Sequence, residues 1–182
     1  MNPYKVTAYA MDELRRRIIP QIQRLFPDGP SLKVIKRLER EDKALQDCPY
    51  TYALLIMDEV IRKLRYHRMK AVLEGRWYRS GYAWLLGLTT GNQDEQDWFF
   101  RENGFEEFLH PIRDDEDLSM RIIIAPQWGK ATCIELLRLY AYEWVFWIWE
   151  CPNGSLKLIN LDHQPDDIYA AQAPSINVFL ES

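Results

Sequence analysis

The sequence predicts an α+β fold: an antiparallel or mixed sheet that includes a tryptophan-rich hairpin, covered by amphipathic helices mainly from the N-terminal half. Three observations carry this. Early segments repeat apolar residues at helical spacing, residues 121–125 (RIIIA) form the clearest β-favouring run, and residues 143–161 set two such runs around Cys-Pro-Asn-Gly, which suits a tight turn. With 182 residues, 47% of them apolar, the chain has enough material for one substantial core, and a single domain over 1–182 is expected.

Residues 5–9 alternate and read as a short strand. Asp12 then suits the N-cap of a helix to about Phe26, with Leu14, Ile18, Ile22 and Leu25 as its core stripe and Pro20 expected to kink or divide it. PDGP at 27–30 is a turn. Ser31 caps a second helix to roughly Gln46, carried by Leu32, Ile35, Leu38 and Leu45. Its other face, with Lys36, Arg37, Arg40 and Lys43 among Glu39, Glu41 and Asp42, reads as a solvated ion-pair surface.

From Tyr52 the spacing predicts a long helix ending near Gly75, with Ala53, Met57, Val60, Ile61, Leu64 and Ala71 toward the core. The apolar run 81–91 reads as a strand by its glycine and threonine boundaries. Asn92 with Glu95 approximates a capping box for a helix to Glu102, and 113–117 is an acidic loop. After the strand 121–125 a helix begins beyond Gly129, with Cys133, Leu136, Leu137 and Tyr140 inward. In the hairpin, Pro152 and Asn153 centre a type I turn with Gly154 left-handed, a choice that respects the fixed φ of proline. Val145, Trp147 and Trp149 then share one face and Trp144, Phe146 and Ile148 the other. A strand apolar on both faces is expected to lie centrally under helices; an uncovered face would instead offer tryptophan anchors to a partner. Residues 176–180 alternate and add a last strand.

Charge is divided along the chain. Residues 1–80 carry +7 and residues 81–182 carry −11, within a net charge of −4. The basic half peaks in RKLRYHRMKAVLEGRWYR, residues 62–79, with seven lysines and arginines and one acid. Arg62, Lys63, Arg65, Tyr66, Met69 and Lys70 fall on the helix side away from the core, and Arg76, Trp77, Tyr78 and Arg79 follow the glycine. Cations interleaved with rings suit a nucleic acid, whose phosphates attract the former and whose bases stack on the latter. Guanidinium groups pair equally well with the carboxylates of an acidic protein. The plainer alternative is an ordinary wet helix face, with Trp77 and Tyr78 packed inward. His67 and Arg68 lie near the stripe's edge, where a satisfied histidine and a snorkelling arginine are expected.

Motifs of catalysis are missing. There is no GxSxG, GxxxxGK[ST], GxGxxG, HExxH or paired-cysteine spacing. Glu41-Asp42-Lys43 has the spacing of a metal nuclease's acid and lysine but lies on a helix rather than a strand. Asp162, His163, Asp166 and Asp167 could surround a cation, and His110 beside Glu106 and Glu107 could act as a base, yet both read more simply as turns. No catalytic residue, metal or cofactor is therefore assigned. Cys48, Cys133 and Cys151, odd in number and without a CxxC pair, fit reduced thiols in the cytoplasm. No secretory signal and no membrane span are read.

The expected function is a non-catalytic accessory or binding subunit that engages a polyanion, nucleic acid before protein, through Arg62, Lys63, Arg65, Tyr66, Lys70, Arg76, Trp77 and Arg79. Its rival is an acidic inhibitor or immunity-type protein whose second half covers a basic partner. A metal-dependent enzyme built on 162–167 comes third.

Overall fold

The computed structural model describes residues 3–46, 48, 50–89, 120–125, 129–161 and 173–180. Its α-helices and five-stranded mixed sheet make the fold α+β. The chain divides into two compact bodies, Met1–Thr51 with Arg76–Asp117 and Tyr52–Gly75 with Leu118–Ser182. That division does not follow the change of charge at Ser80.

In the first body, α1 (Pro3–Leu25) runs without a break. It absorbs residues 5–9, so the strand expected there is helix, and Asp12 lies inside it, paired with Arg15 at 2.9 Å. Ala10, Met11, Leu14 and Ile18 are buried, extending the apolar stripe one turn further back than the sequence pattern suggested. Pro20 sits within the helix and does not end it. The second helix, α2 (Leu32–Leu45), is capped as expected by Ser31, whose hydroxyl accepts the Val34 N–H. Its buried face is a surprise: Leu32 is 66% exposed, whereas Arg37 and Glu41, assigned to a wet ion-pair surface, are buried.

The reason lies about forty residues onward. After a 3₁₀ turn (Gly75–Arg79), Ser80 caps the short helix α4 (Gly81–Leu85) by accepting the Ala83 N–H at 3.0 Å. The Glu41 carboxylate accepts hydrogen bonds from the Ser80 hydroxyl, from the Gly81 N–H at 2.7 Å and from the Tyr82 N–H at 3.4 Å. These include amides that a helix start leaves without partners, and the helix dipole favours an anion there. Hence the run from Gly81 starts as a helix, not a strand. Beside it, Asp42 takes a two-pronged bond from Arg15 of α1, both prongs at 2.7 Å, and accepts the Tyr82 hydroxyl at 2.6 Å. Helices α1, α2 and α4 are thereby tied by one polar network.

In the second body, α3 (Tyr50–Tyr66, counted here from Tyr52) is buried all round from Tyr52 to Asp58. It ends a full two turns before Gly75. Arg68 takes a left-handed φ of 60°, its N–H bonds the Arg65 carbonyl at 2.8 Å, and the Met69 N–H bonds that of Leu64 at 3.0 Å. This is a Schellman closure with arginine where glycine is usual, so nothing in the sequence marked it. The chain then extends into β1 (Ala71–Glu74), so Ala71 is buried on a strand rather than a helix.

Strands β2 (Met120–Ile124), β3 (Phe146–Glu150), β4 (Leu156–Asn160) and β5 (Ser175–Leu180) join it in the order β1-β2-β5-β4-β3. Only the β2–β5 pair is parallel. Between β3 and β4 the Gly154 N–H bonds the Cys151 carbonyl at 2.9 Å and Gly154 has a φ of 79°, so Pro152 and Asn153 do centre the turn. Trp149 consequently faces Lys157, and Glu150 faces Leu156.

One sheet face, with Phe146, Leu156, Leu158, Ile176, Val178, Met120, Ile122, Ile124 and Leu73, is buried. Helix α5 (Gly129–Glu143) packs across β3 and β5 on this side, and Tyr52 of α3 sets its ring 4.9 Å from that of Phe146. The approach of α5 is close at its first residue. A Cβ on Gly129 would stand 2.9 Å from the Ile124 Cγ2. Contrary to the expectation of a central strand, β3 is at the edge of the described strands, with Trp147 38% and Trp149 44% exposed on the opposite face.

Candidate functional site

The eight residues expected to form one surface fall into two bodies. Arg76, Trp77 and Arg79 lie in the first, on the 3₁₀ turn. There Trp77 is fully buried with its ring 5.6 Å from that of Tyr50, so it serves the core and not a ligand. Arg76 is half-buried, and Arg79 is exposed while its carbonyl accepts the Arg37 guanidinium at 3.4 Å. The correction has a simple cause: the glycine at 75 ends a strand rather than the helix, and the turn that follows directs the indole inward.

The remaining five line the end of α3 and the turn after it. Arg62, Lys63, Arg65, Tyr66 and Lys70 are all exposed, as are His67 and Arg68, which had been expected at the edge of the core. Exposure does not make them equivalent. Arg62 donates to the wholly buried Asp58 at 2.8 Å, one helical turn back, which offsets part of its charge. The Arg65 guanidinium folds back on the Ala71 carbonyl at 3.2 and 3.0 Å, pinning the start of β1 to the helix end. Arg65 is thus a brace. Lys63 stands 5.5 Å over the ring of Tyr66, whose other neighbour is the His67 ring, edge-on at 5.2 Å. Tyr66 nevertheless remains 78% exposed.

Across from this stripe stands Tyr140 of α5. Together Glu59, Arg62, Lys63, Tyr66 and Tyr140 line an open groove of about 330 Å³. The α3 members follow at i, i+3, i+4 and i+7, so they form one line along the helix. Burial, with the nearby carboxylates of Glu59 and Glu143, pushes the Tyr140 phenol up from its ordinary value, so the ring stays neutral. The groove offers two cationic heads, two phenol rings and one carboxylate.

Glu59, Arg68 and Tyr140 were missed at the sequence level. Glu59 belongs to the same helical stripe and was legible from spacing. Tyr140 was not, because nothing in the sequence brings α5 beside α3.

Among the described residues no group of three or more His, Cys, Asp or Glu could hold a metal ion. The clusters 106–110 and 162–167, and the acids 94–97 and 114–117 of the inhibitor reading, lie outside the described residues. The helix predicted from Asn92 lies outside them too. Burial pushes the Cys133 thiol up to about 12 and that of Cys48 to about 11, which removes nucleophilic character from both. No described helix is long and apolar enough to cross a membrane. Neither a protein-family model, nor a curated protein, nor a solved structure matches this chain.

Proposed function

We propose that this protein is a non-catalytic accessory subunit that binds a polyanion, single-stranded nucleic acid in preference to an acidic protein, through the exposed end of α3. The observation that carries this reading is Tyr66: a large ring left 78% exposed, with a lysine over it and a second tyrosine across the groove. Leaving such a ring in water gains nothing for the fold, whereas an unpaired base stacked on it gains contact on a flat surface of its own size. An acidic protein surface would use the cations but not the two rings. Lys63 and Arg68 supply charge for the phosphates, while Arg62 contributes less because Asp58 offsets it. Three free cysteines support a cytoplasmic location.

The test is retention on a polyanion column and anisotropy with labelled oligouridylate across a salt series. Affinity is expected to fall steeply with salt, and Lys63→Ala to reduce the slope of log affinity against log salt by about one. Binding that ignores both salt and this substitution rejects the proposal.

A further inference from the structure

Strand β3 (Phe146–Glu150) borders the described strands, and two bonds fix which way its main chain faces. At one end the Cys151 N–H bonds the Ser155 carbonyl at 2.8 Å, and at the other the Leu161 N–H bonds the Val145 carbonyl at 3.0 Å. Backbone bonding alternates residue by residue along an antiparallel strand. Trp147 and Trp149 therefore turn their amides and carbonyls toward β4, while Phe146, Ile148 and Glu150 turn theirs outward. Among the described residues no strand takes up these outward groups. Natural edges are blunted by lysine, proline or a bulge. β3 reads FWIWE and pairs residue for residue with β4, so it has none of these. Its indoles, Trp147 and Trp149, share the face away from α5 and are 38% and 44% exposed.

We infer that β3 is the seam of a reversible two-fold dimer, pairing antiparallel with β3 of a second copy so that Ile148 meets its own equivalent. The strand reads almost the same in both directions about Ile148. That centre sets Trp147 opposite the second copy's Trp149, and Trp149 opposite its Trp147. Because Phe146, Ile148 and Glu150 point outward, they form the hydrogen-bonded pairs. The indoles then fall in the sites between, where facing side chains come closest. Moving the centre to Trp147 or Trp149 would leave one indole of each copy facing Val145 or Cys151, so the centre at Ile148 matches the most aromatic surface. Charge agrees. Glu150 is the strand's single charge, it stands 3.5 Å from Arg138 of α5, and the two-fold sets its two copies at opposite ends of the seam. A strand from an unrelated protein would share none of this self-matching. The exposed indole surface is roughly 200 Å² per copy. With the main chain and Ile148 added, the seam buries less than about 1,200 Å² in all, the size of a transient interface, so the dimer dissociates in the micromolar range.

The experiment is sedimentation equilibrium of the full chain across the micromolar range, joined to far-UV circular dichroism at the same concentrations. A monomer–dimer equilibrium is expected, and with it an exciton couplet from the facing indoles that grows as the dimer forms. Ile148→Pro removes an outward N–H and no bond to β4, and Trp149→Lys puts a cation into the seam while keeping the main chain intact. Each substitution acts twice across the two-fold, so each is expected to weaken the dimer at least about tenfold, with urea unfolding showing that the chain is folded. Trp149→Lys decides the matter if proline at 148 disturbs folding. A dimer that persists in either folded variant, or that forms without the couplet, lies on another surface and overturns the inference. A chain that stays monomeric at every concentration overturns it too, and reopens the edge as a site for a strand of a different protein.

Discussion

Tyr66 and Trp77 come from one basic, aromatic stretch of sequence, yet the first is 78% exposed and the second is fully buried. Around Tyr66 the backbone is still helix, and its side chain leaves the axis on the side away from the core. Around Trp77 the backbone has passed through a strand and entered a 3₁₀ turn that is tied from behind, since the Ser80 hydroxyl and the Gly81 amide both donate to Glu41. Composition is thus the same in the two places and fate is opposite. What decides it is which backbone groups nearby need partners.

That contrast is broken most sharply at the indole. Trp77→Ala removes a large side chain with no exposed surface, and a loss of about 3–5 kcal/mol is expected in urea unfolding of the first body. A loss below about 1 kcal/mol would mean that the turn is not part of the core.

Next in size is Glu41. Burial pushes its carboxyl up to about 7, while the bonds from Ser80, Gly81 and Tyr82 oppose that shift. A carboxyl whose folded value lies above its unfolded one holds a proton more tightly when folded. Its contribution is therefore fully present below the unfolded value of 4.5 and is lost as pH rises through about 7. Stability should fall over that window by on the order of 3 kcal/mol, and Glu41→Gln should flatten the fall, measured by urea midpoints at intervals of pH. Glu13 acts in a different range. Its bonds with Arg16 and Arg17 hold it down at about 2, so what it contributes is lost only as pH drops below 4.5. An unchanged slope in Glu41→Gln would show that the carboxylate is not the group titrating. Glu41→Ala, which leaves the three donors without an acceptor, should cost about 3 kcal/mol at neutral pH.

Which features were legible follows from the range over which they are determined. The Ser31 cap, the strand at 120–124, the last strand and the Pro152-Asn153 turn depend on neighbours a few residues away, and each was readable. The start of α1 was misread because five alternating residues look the same whether or not a helical stripe continues beyond them. The burial of Glu41 depends on Ser80 and Gly81, about forty residues distant, and the groove depends on Tyr140, still further from α3. Charge near charge on a helix reads as wet until the partner that buries it is known.

The end of α3 gives a smaller and opposite effect. Arg68 holds a left-handed backbone that disfavours any side chain with a Cβ, so Arg68→Gly should raise stability by about 1 kcal/mol. If the proposal for the groove holds, the same change should weaken binding of oligouridylate modestly, because it removes an exposed cation. Stability and affinity moving in opposite directions would mark this turn as one kept strained for the charge it carries.

The smallest expected change in stability belongs to the residue on which the proposed function most depends. Tyr66→Ala removes a ring that is mostly in water and touches chiefly Lys63 and His67, so unfolding should shift by no more than about 0.5 kcal/mol. Binding of a single strand should nevertheless weaken by about 1–3 kcal/mol if a base stacks on that ring. Trp77→Ala predicts the reverse pattern, stability lost first and binding lost only with the fold. Measuring both variants by urea unfolding and by anisotropy separates the two halves of the stretch directly. If Tyr66→Ala is as destabilising as a core change, or binds oligouridylate as the native chain does, the exposed ring is not a platform and the likeness between the two halves has no functional meaning.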